Sequence, residues 1–299
     1  MTDYGHDLIF GTFVTPLVHP PLQPVELAVA SERAGLDLVT FQDHPYLPTF
    51  HDTWTLMSFV AARTQRIRIS GNVLNLPLRP PAVLARSAAS LDVLSGGRLA
   101  LGIGAGGFWD AIAAMGGRRL SPGESIRALA EAIAILRELW AADRPGRVQL
   151  DGEFYQVSGA KRGPAPAHDI PIWIGAYKPR LLHLTGRLAD GWLPNLPYLP
   201  DGPDSLPEMN ARIDEGAVAA GRDPAAITRL LNIGGEFTGN DGGLLVGPPA
   251  HWAEQVADLA LVHGISGFVL MTDDPATVER YAHEVAPRTR EIVAAERKG

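Results

Sequence analysis

Short apolar runs rich in β-branched and aromatic residues alternate along the chain with longer stretches whose apolar positions recur at helical spacing. That is the pattern of a parallel sheet buried under helices. The first strand is predicted over 8–14, and a helix over 25–34 stops at Gly35. A second strand covers 36–41. A helix over 54–63 leads to a strand over 67–74, and a helix over 81–94 ends at Gly96 and Gly97 before a strand over 98–103. Leu36, Ile67 and Arg98 open their strands 31 residues apart, room for one strand, one helix and two short connections. Ser121-Pro122-Gly123-Glu124 has the form of a capping box with proline at the first helical position. A hairpin over 147–157, around Asp151-Gly152, interrupts the alternation. It resumes with a strand over 170–175, a helix over 179–190, a short strand over 191–194 and a helix over 208–220. Strand, helix and strand follow over 227–237, 251–262 and 267–271, and a last helix covers 276–295. About eight strands alternating with helices predict an α/β chain: a single (β/α)8 TIM barrel over 1–299 with a small hairpin insertion.

Composition narrows the chemistry. The chain has 299 residues, 46% of them hydrophobic, enough for one large core. Its net charge of -7 opposes binding to a phosphate backbone, so no nucleic-acid partner is expected. With no cysteine, thiolate metal sites and cysteine nucleophiles are excluded, and redox chemistry must come from a bound cofactor. Residues 1–7 show no basic stretch leading into an apolar run, and no segment has the length and apolar purity of a membrane span. A cytoplasmic protein without membrane partners is the expectation.

In a parallel barrel, only the loops after the strands are free to build a site. The predicted strand ends carry Asp43 and His44, Asn72 and Asn75, Gly104 to Asp110, Gly175 to Arg180, and Asn195. His44 is the candidate catalytic residue, because an imidazole can donate a hydrogen bond or exchange a proton near neutrality. Asp43 is placed either to orient that ring or to hold a cofactor. Asp43, His44, His51 and Asp52 together raise the alternative of a metal-dependent barrel hydrolase, weakened by the lack of further His and carboxylate pairs at later strand ends. Gly102 to Gly107 matches G-x-G-x-x-G, but it follows a fourth strand and its helix is expected only at Ser121. The preferred reading is that missing side chains let a flat ring lie against the backbone. Gly175-Ala176-Tyr177-Lys178-Pro179-Arg180 joins a strand to a helix start, where free amides and the helix dipole attract an anion such as phosphate. Trp54, Trp109 and Trp192 are candidate walls of a substrate pocket.

Phe41-Gln42-Asp43-His44, the run NVLNLPLRPPAVLARSAASLDVLSGGRLALGIGAG over 72–106, and PIWIGAYKPRLLHLTGRLADGW over 171–192 resemble the luciferase-like monooxygenase family. The resemblance implies a barrel using FMN or the deazaflavin coenzyme F-420, acting on a small organic substrate by monooxygenation or hydride transfer, in a homodimer. A non-catalytic flavin-binding protein of the same fold is the remaining alternative. The resemblance also implies that His44 faces the reactive edge of the ring and that Asn72-Val73 is a non-prolyl cis peptide behind it. Gly104, Gly106 and Asp110 are implied beside the cofactor, and the backbone of Gly175, Ala176, Tyr177 and Lys178 is implied to receive its phosphate. The family's deazaflavin sugar-phosphate dehydrogenases carry a glutamate where this chain has Gly107, so sugar-phosphate oxidation does not carry over.

Overall fold

The computed structural model describes residues 3–298. Eight parallel strands form the barrel: β1 (Ile9–Val14), β2 (Leu38–Phe41), β3 (Arg68–Gly71), β4 (Leu99–Gly104), β5 (Ile172–Ile174), β6 (Gly191–Trp192), β7 (Thr228–Ile233) and β8 (Gly267–Met271). Each pairs with the next, and β1 pairs with β8, so the ring closes without an edge. Helices on the outside include Gln23–Arg33, Thr53–Arg63, Pro81–Ser95, Pro122–Trp140, Pro179–Leu188, Leu206–Ala219 and Pro249–Leu261. The expected alternation is therefore the observed one. The capping box at Ser121 forms with both of its hydrogen bonds. The hairpin pairs Arg147–Asp151 with Gln156–Lys161, a longer turn than a two-residue loop at Asp151-Gly152, because the Glu131 carboxylate accepts the amides of Glu153, Phe154 and Tyr155.

Two differences change the site. A helix, Trp109–Ala114, follows the glycine-rich turn directly, well before Ser121. Strand parity, invisible without the register, also divides the core in two. Outward residues such as Phe10, Leu101, Ile174, Trp192 and Phe268 pack under the helices. Inward residues Leu38, Ala100, Trp173, Leu230 and Val269 fill the lower half of the cylinder. One step of the alternation higher, the inward series turns polar or small. Leu38 gives way to Thr40, Leu230 to Asn232, Leu193 to Asn195, and Trp173 to Gly175. Apolar packing closes the bottom of the barrel, and the change of residue type opens the top.

Candidate active site

The open top is a cavity of about 810 Å³ at the C-terminal ends of the strands, within the size range of small-molecule sites. His44, Asp43, Asn72, Val73, Gly104, Gly106, Gly175, Tyr177, Lys178 and Asn195 all line it. Residues from five separate stretches of chain thus meet at one rim.

The floor is made of amides. The Asn72 and Asn232 side chains bridge the barrel reciprocally, Asn72 Nδ2 donating to Asn232 Oδ1 at 2.7 Å and Asn232 Nδ2 to Asn72 Oδ1 at 3.0 Å. Asn72 also donates to the Thr40 hydroxyl, and Asn232 to Asn195 Oδ1. With its oxygen occupied, Asn195 has its Nδ2 left to present to the cavity. Asn75 Oδ1 is buried, and among the described residues nothing donates to it. The Asn72-Val73 peptide is cis, as expected. Val73 lies over Gly104, where a Cβ would come within 2.8 Å of Val73 Cγ2, and it also lies against Gly175.

His44 sits on the wall. Its Nδ1 pairs with the Tyr46 hydroxyl at 2.7 Å, and its ring meets Phe108 edge-on at 5.4 Å between centroids. Burial holds the imidazole below the ordinary histidine range, against a smaller opposing effect of the Asp43 carboxylate. His44 is therefore neutral at pH 7. A hydroxyl can donate to one ring tautomer or accept from the other, so Tyr46 supports Nε2 as either proton donor or proton acceptor. Asp43, expected either to orient the ring or to hold a cofactor, lines the cavity, but its carboxylate is committed elsewhere. Its carboxylate takes Arg79 Nε at 2.7 Å and Nη2 at 2.8 Å, and the Asn75 amide at 2.8 Å. Burial works against the Arg79 charge, but Asp43 and Asp52 outweigh it and raise its pKa. The pair fixes the strand ends and brings no net charge to the cavity.

At the opposite side, Lys178 precedes the helix Pro179–Leu188, whose first turn has no side-chain cap. Tyr177 is pinned by the Asn195 amide, which donates to its hydroxyl at 2.8 Å, and burial pushes the phenol up to about 12.

Several expectations are corrected. Trp192 points outward from its strand and is fully buried, its Nε1 donating to the Ala176 carbonyl at 2.9 Å; Ala176 is buried as well, outside the cavity lining. Trp54 lies in an outer groove between the helices Thr53–Arg63 and Pro81–Ser95. Trp109 packs against the turn at Gly106, where φ is +107°. Asp110 is exposed and pairs with Arg119, because the unexpected helix at Trp109 turns it away from the cavity. The aromatic lining comes instead from Phe13, Tyr46, Phe108, Tyr177 and Tyr198. Only the -P-Y- after His44 was a local signal for Tyr46. The metal-hydrolase alternative loses its donor set: Asp52 caps a helix and pairs with Arg79, and His51 bonds the Pro21 carbonyl. Among the described residues no group of three His, Cys, Asp or Glu is arranged to hold a metal ion.

Fold and site define a (β/α)8 barrel with a mainly apolar cavity, floored by amide side chains, at the rim where such barrels carry their chemistry. The chain belongs to the luciferase-like monooxygenase family, whose model matches residues 10–234. An F-420-dependent glucose-6-phosphate dehydrogenase of Mycolicibacterium smegmatis is 32% identical over 271 residues, 88% of this chain and 76% of its own length. Among solved structures, an F-420-dependent secondary alcohol dehydrogenase in complex with an F-420-acetone adduct matches with a TM-score of 0.83 and 18% identity, covering 95% of this chain and 99% of that one. A monooxygenase from Streptomyces bottropensis matches with a TM-score of 0.78 and 20% identity, covering 94% and 99%.

Proposed function

We propose that the chain is a deazaflavin-dependent oxidoreductase that transfers hydride between coenzyme F-420 and a small organic substrate. The observation that carries this reading is the convergence of His44, the Val73–Gly104–Gly175 surface and the uncapped helix start at Lys178 on one cavity. The residues present fit such a group. Val73, Gly104 and Gly175 offer an apolar surface without projecting side chains, Asn75 Oδ1 lacks a hydrogen-bond donor, and Lys178 with the helix dipole suits an anionic tail. The curated relatives that use F-420 favour the deazaflavin over FMN, and with it hydride transfer over monooxygenation.

Bound there, the deazaflavin supplies a two-electron hydride acceptor or donor. The protein supplies the rest. When an alcohol is oxidised, neutral His44 Nε2 accepts the hydroxyl proton as the C–H hydride leaves, with the Nδ1–H donating to the Tyr46 hydroxyl oxygen. In the reverse direction the same nitrogen returns the proton. The amide floor orients polar groups, and the aromatic wall excludes water.

The assembly is proposed to be a homodimer, supported by the exposed apolar residues Phe59, Val83 and Leu94 of neighbouring helices. No helix of the described residues is long and apolar enough to cross a membrane. A cytoplasmic setting remains part of the proposal, supported by the absence of cysteine.

Titration of the protein with oxidised F-420 and with FMN, followed by fluorescence, tests the cofactor. Tight binding of F-420 is expected, weakened about tenfold at low salt in Lys178→Glu. Preference for FMN would replace hydride transfer with the monooxygenase reading, and binding of neither would end both.

A further inference from the structure

The curated relatives include glucose-6-phosphate dehydrogenases; the charges around this cavity point to a different substrate. Among the described residues lining it, the basic side chains are His44, which burial keeps neutral, and Lys178. Lys178 lies at the helix start assigned above to the cofactor's anionic tail. The other charged lining groups are carboxylates, Asp43 and Asp273. Asp273, just beyond β8, accepts the Thr15 amide at 2.8 Å through Oδ1, and no arginine or lysine pairs with it among the described residues. Asp43 is already matched by Arg79. A phosphate monoester bound in the cavity away from Lys178 would bring about two negative charges into a lining whose uncompensated charge is Asp273, with no cation to receive them.

The surfaces available there are apolar. Phe108 and Tyr46 stand beside His44, with ring centroids 6.1 Å apart, and Phe13 and Met271 line the same cavity from β1 and β8. Phe108 is 67% exposed, although it sits at the cavity mouth. An exposed aromatic in that position gains by covering an apolar ligand. At Gly107, beside it, an added Cβ would meet nothing within 4 Å, so the wall there is open and uncharged.

We propose that the substrate is an uncharged alcohol or ketone with an apolar, aromatic-sized body, its oxygen on His44 and its body against Phe108, Tyr46, Phe13 and Met271. This rests on the cofactor reading for the reaction, but not for the binding surface.

The test uses the full chain with 1-phenylethanol, acetophenone and glucose 6-phosphate as probes, each measured by calorimetry with and without F-420 bound, and by turnover. Expected results are binding and turnover of 1-phenylethanol, loss of its binding by about tenfold in Phe108→Ala, and no binding of glucose 6-phosphate. Asp273→Lys should make glucose 6-phosphate binding measurable. If F-420 fails to bind but 1-phenylethanol binds in a Phe108-dependent way, the cofactor reading fails and the apolar site stands. If F-420 binds and glucose 6-phosphate binds more tightly than 1-phenylethanol, or neither aromatic probe binds, the substrate proposal is overturned and the cofactor reading survives.

Discussion

The two ends of the barrel treat polar groups in opposite ways. At the N-terminal end several charged groups are matched by the chain itself. Arg98 is satisfied by the carbonyls of Ala61, Thr64, Ile67 and Ser95 and by the Thr64 hydroxyl. Arg229, with a side chain 0% exposed, holds Asp214 and Asn210. Asp92 takes the amides of Ala167 and His168, and Glu32 takes those of Gln65, Arg66 and Ile67. At the C-terminal end, Asn75 keeps an unpaired oxygen, while Phe108 and Tyr198 expose aromatic rings. One end spends its polar groups on the chain itself, and the other reserves them for something that binds.

This contrast can be broken at either end. The largest effect is expected at the N-terminal end. Arg229→Met should cost roughly 3 kcal/mol of stability by removing the buried cation from Asp214 and Asn210, Asp214 keeping the Tyr4 hydroxyl, read by denaturant unfolding; a loss under about 1 kcal/mol would show that the pair is not structural. His44→Ala should leave stability and cofactor affinity nearly unchanged while lowering turnover on the order of 10²–10⁴-fold. The wild-type pH profile for alcohol oxidation sharpens the point. Proton acceptance needs neutral His44, and burial lowers its pKa, so activity should persist as pH falls through the ordinary histidine range near ~6.5 and drop only below it. A drop centred above that value would assign the titration to another group. The smallest effect is expected from Tyr46→Phe. Loss of one hydrogen bond to Nδ1 should lower turnover about tenfold with KM and cofactor affinity little changed. A fall in stability instead would make Tyr46 a packing residue.

The barrel was legible because its information is local. Buried parallel strands read as apolar runs, and the 31-residue spacing of Leu36, Ile67 and Arg98 repeats one unit of the fold. The rim position of His44, Gly104, Gly175 and Lys178 followed from those strands ending where they did. What stayed hidden depends on parity and on long-range pairing. Whether Trp192 faces the cavity or the helices turns on a one-residue choice of register, and a two-residue strand does not announce it. Asp43 looked like the partner of His44 because it is adjacent in sequence, yet Arg79, which lies beyond the next strand, claims it. Asn232 and Asp273 come from late strands and reach the site only once the ring has closed.

The reciprocal Asn72–Asn232 bridge has a consequence for how this protein can vary. Each amide spends one donor and its acceptor on the other across the cylinder, and its second donor on a neighbour, Thr40 for Asn72 and Asn195 for Asn232. Replacing Asn232 with an acid sets oxygen against oxygen at Asn72 and removes the donor that holds Asn195 Oδ1, so that Asn195 can turn over and a ligand would meet its carbonyl oxygen where it now meets its amide NH2. The polarity shown to the visitor at Asn195 is thus decided by the side chain beside it, and drift at the three positions is tied together.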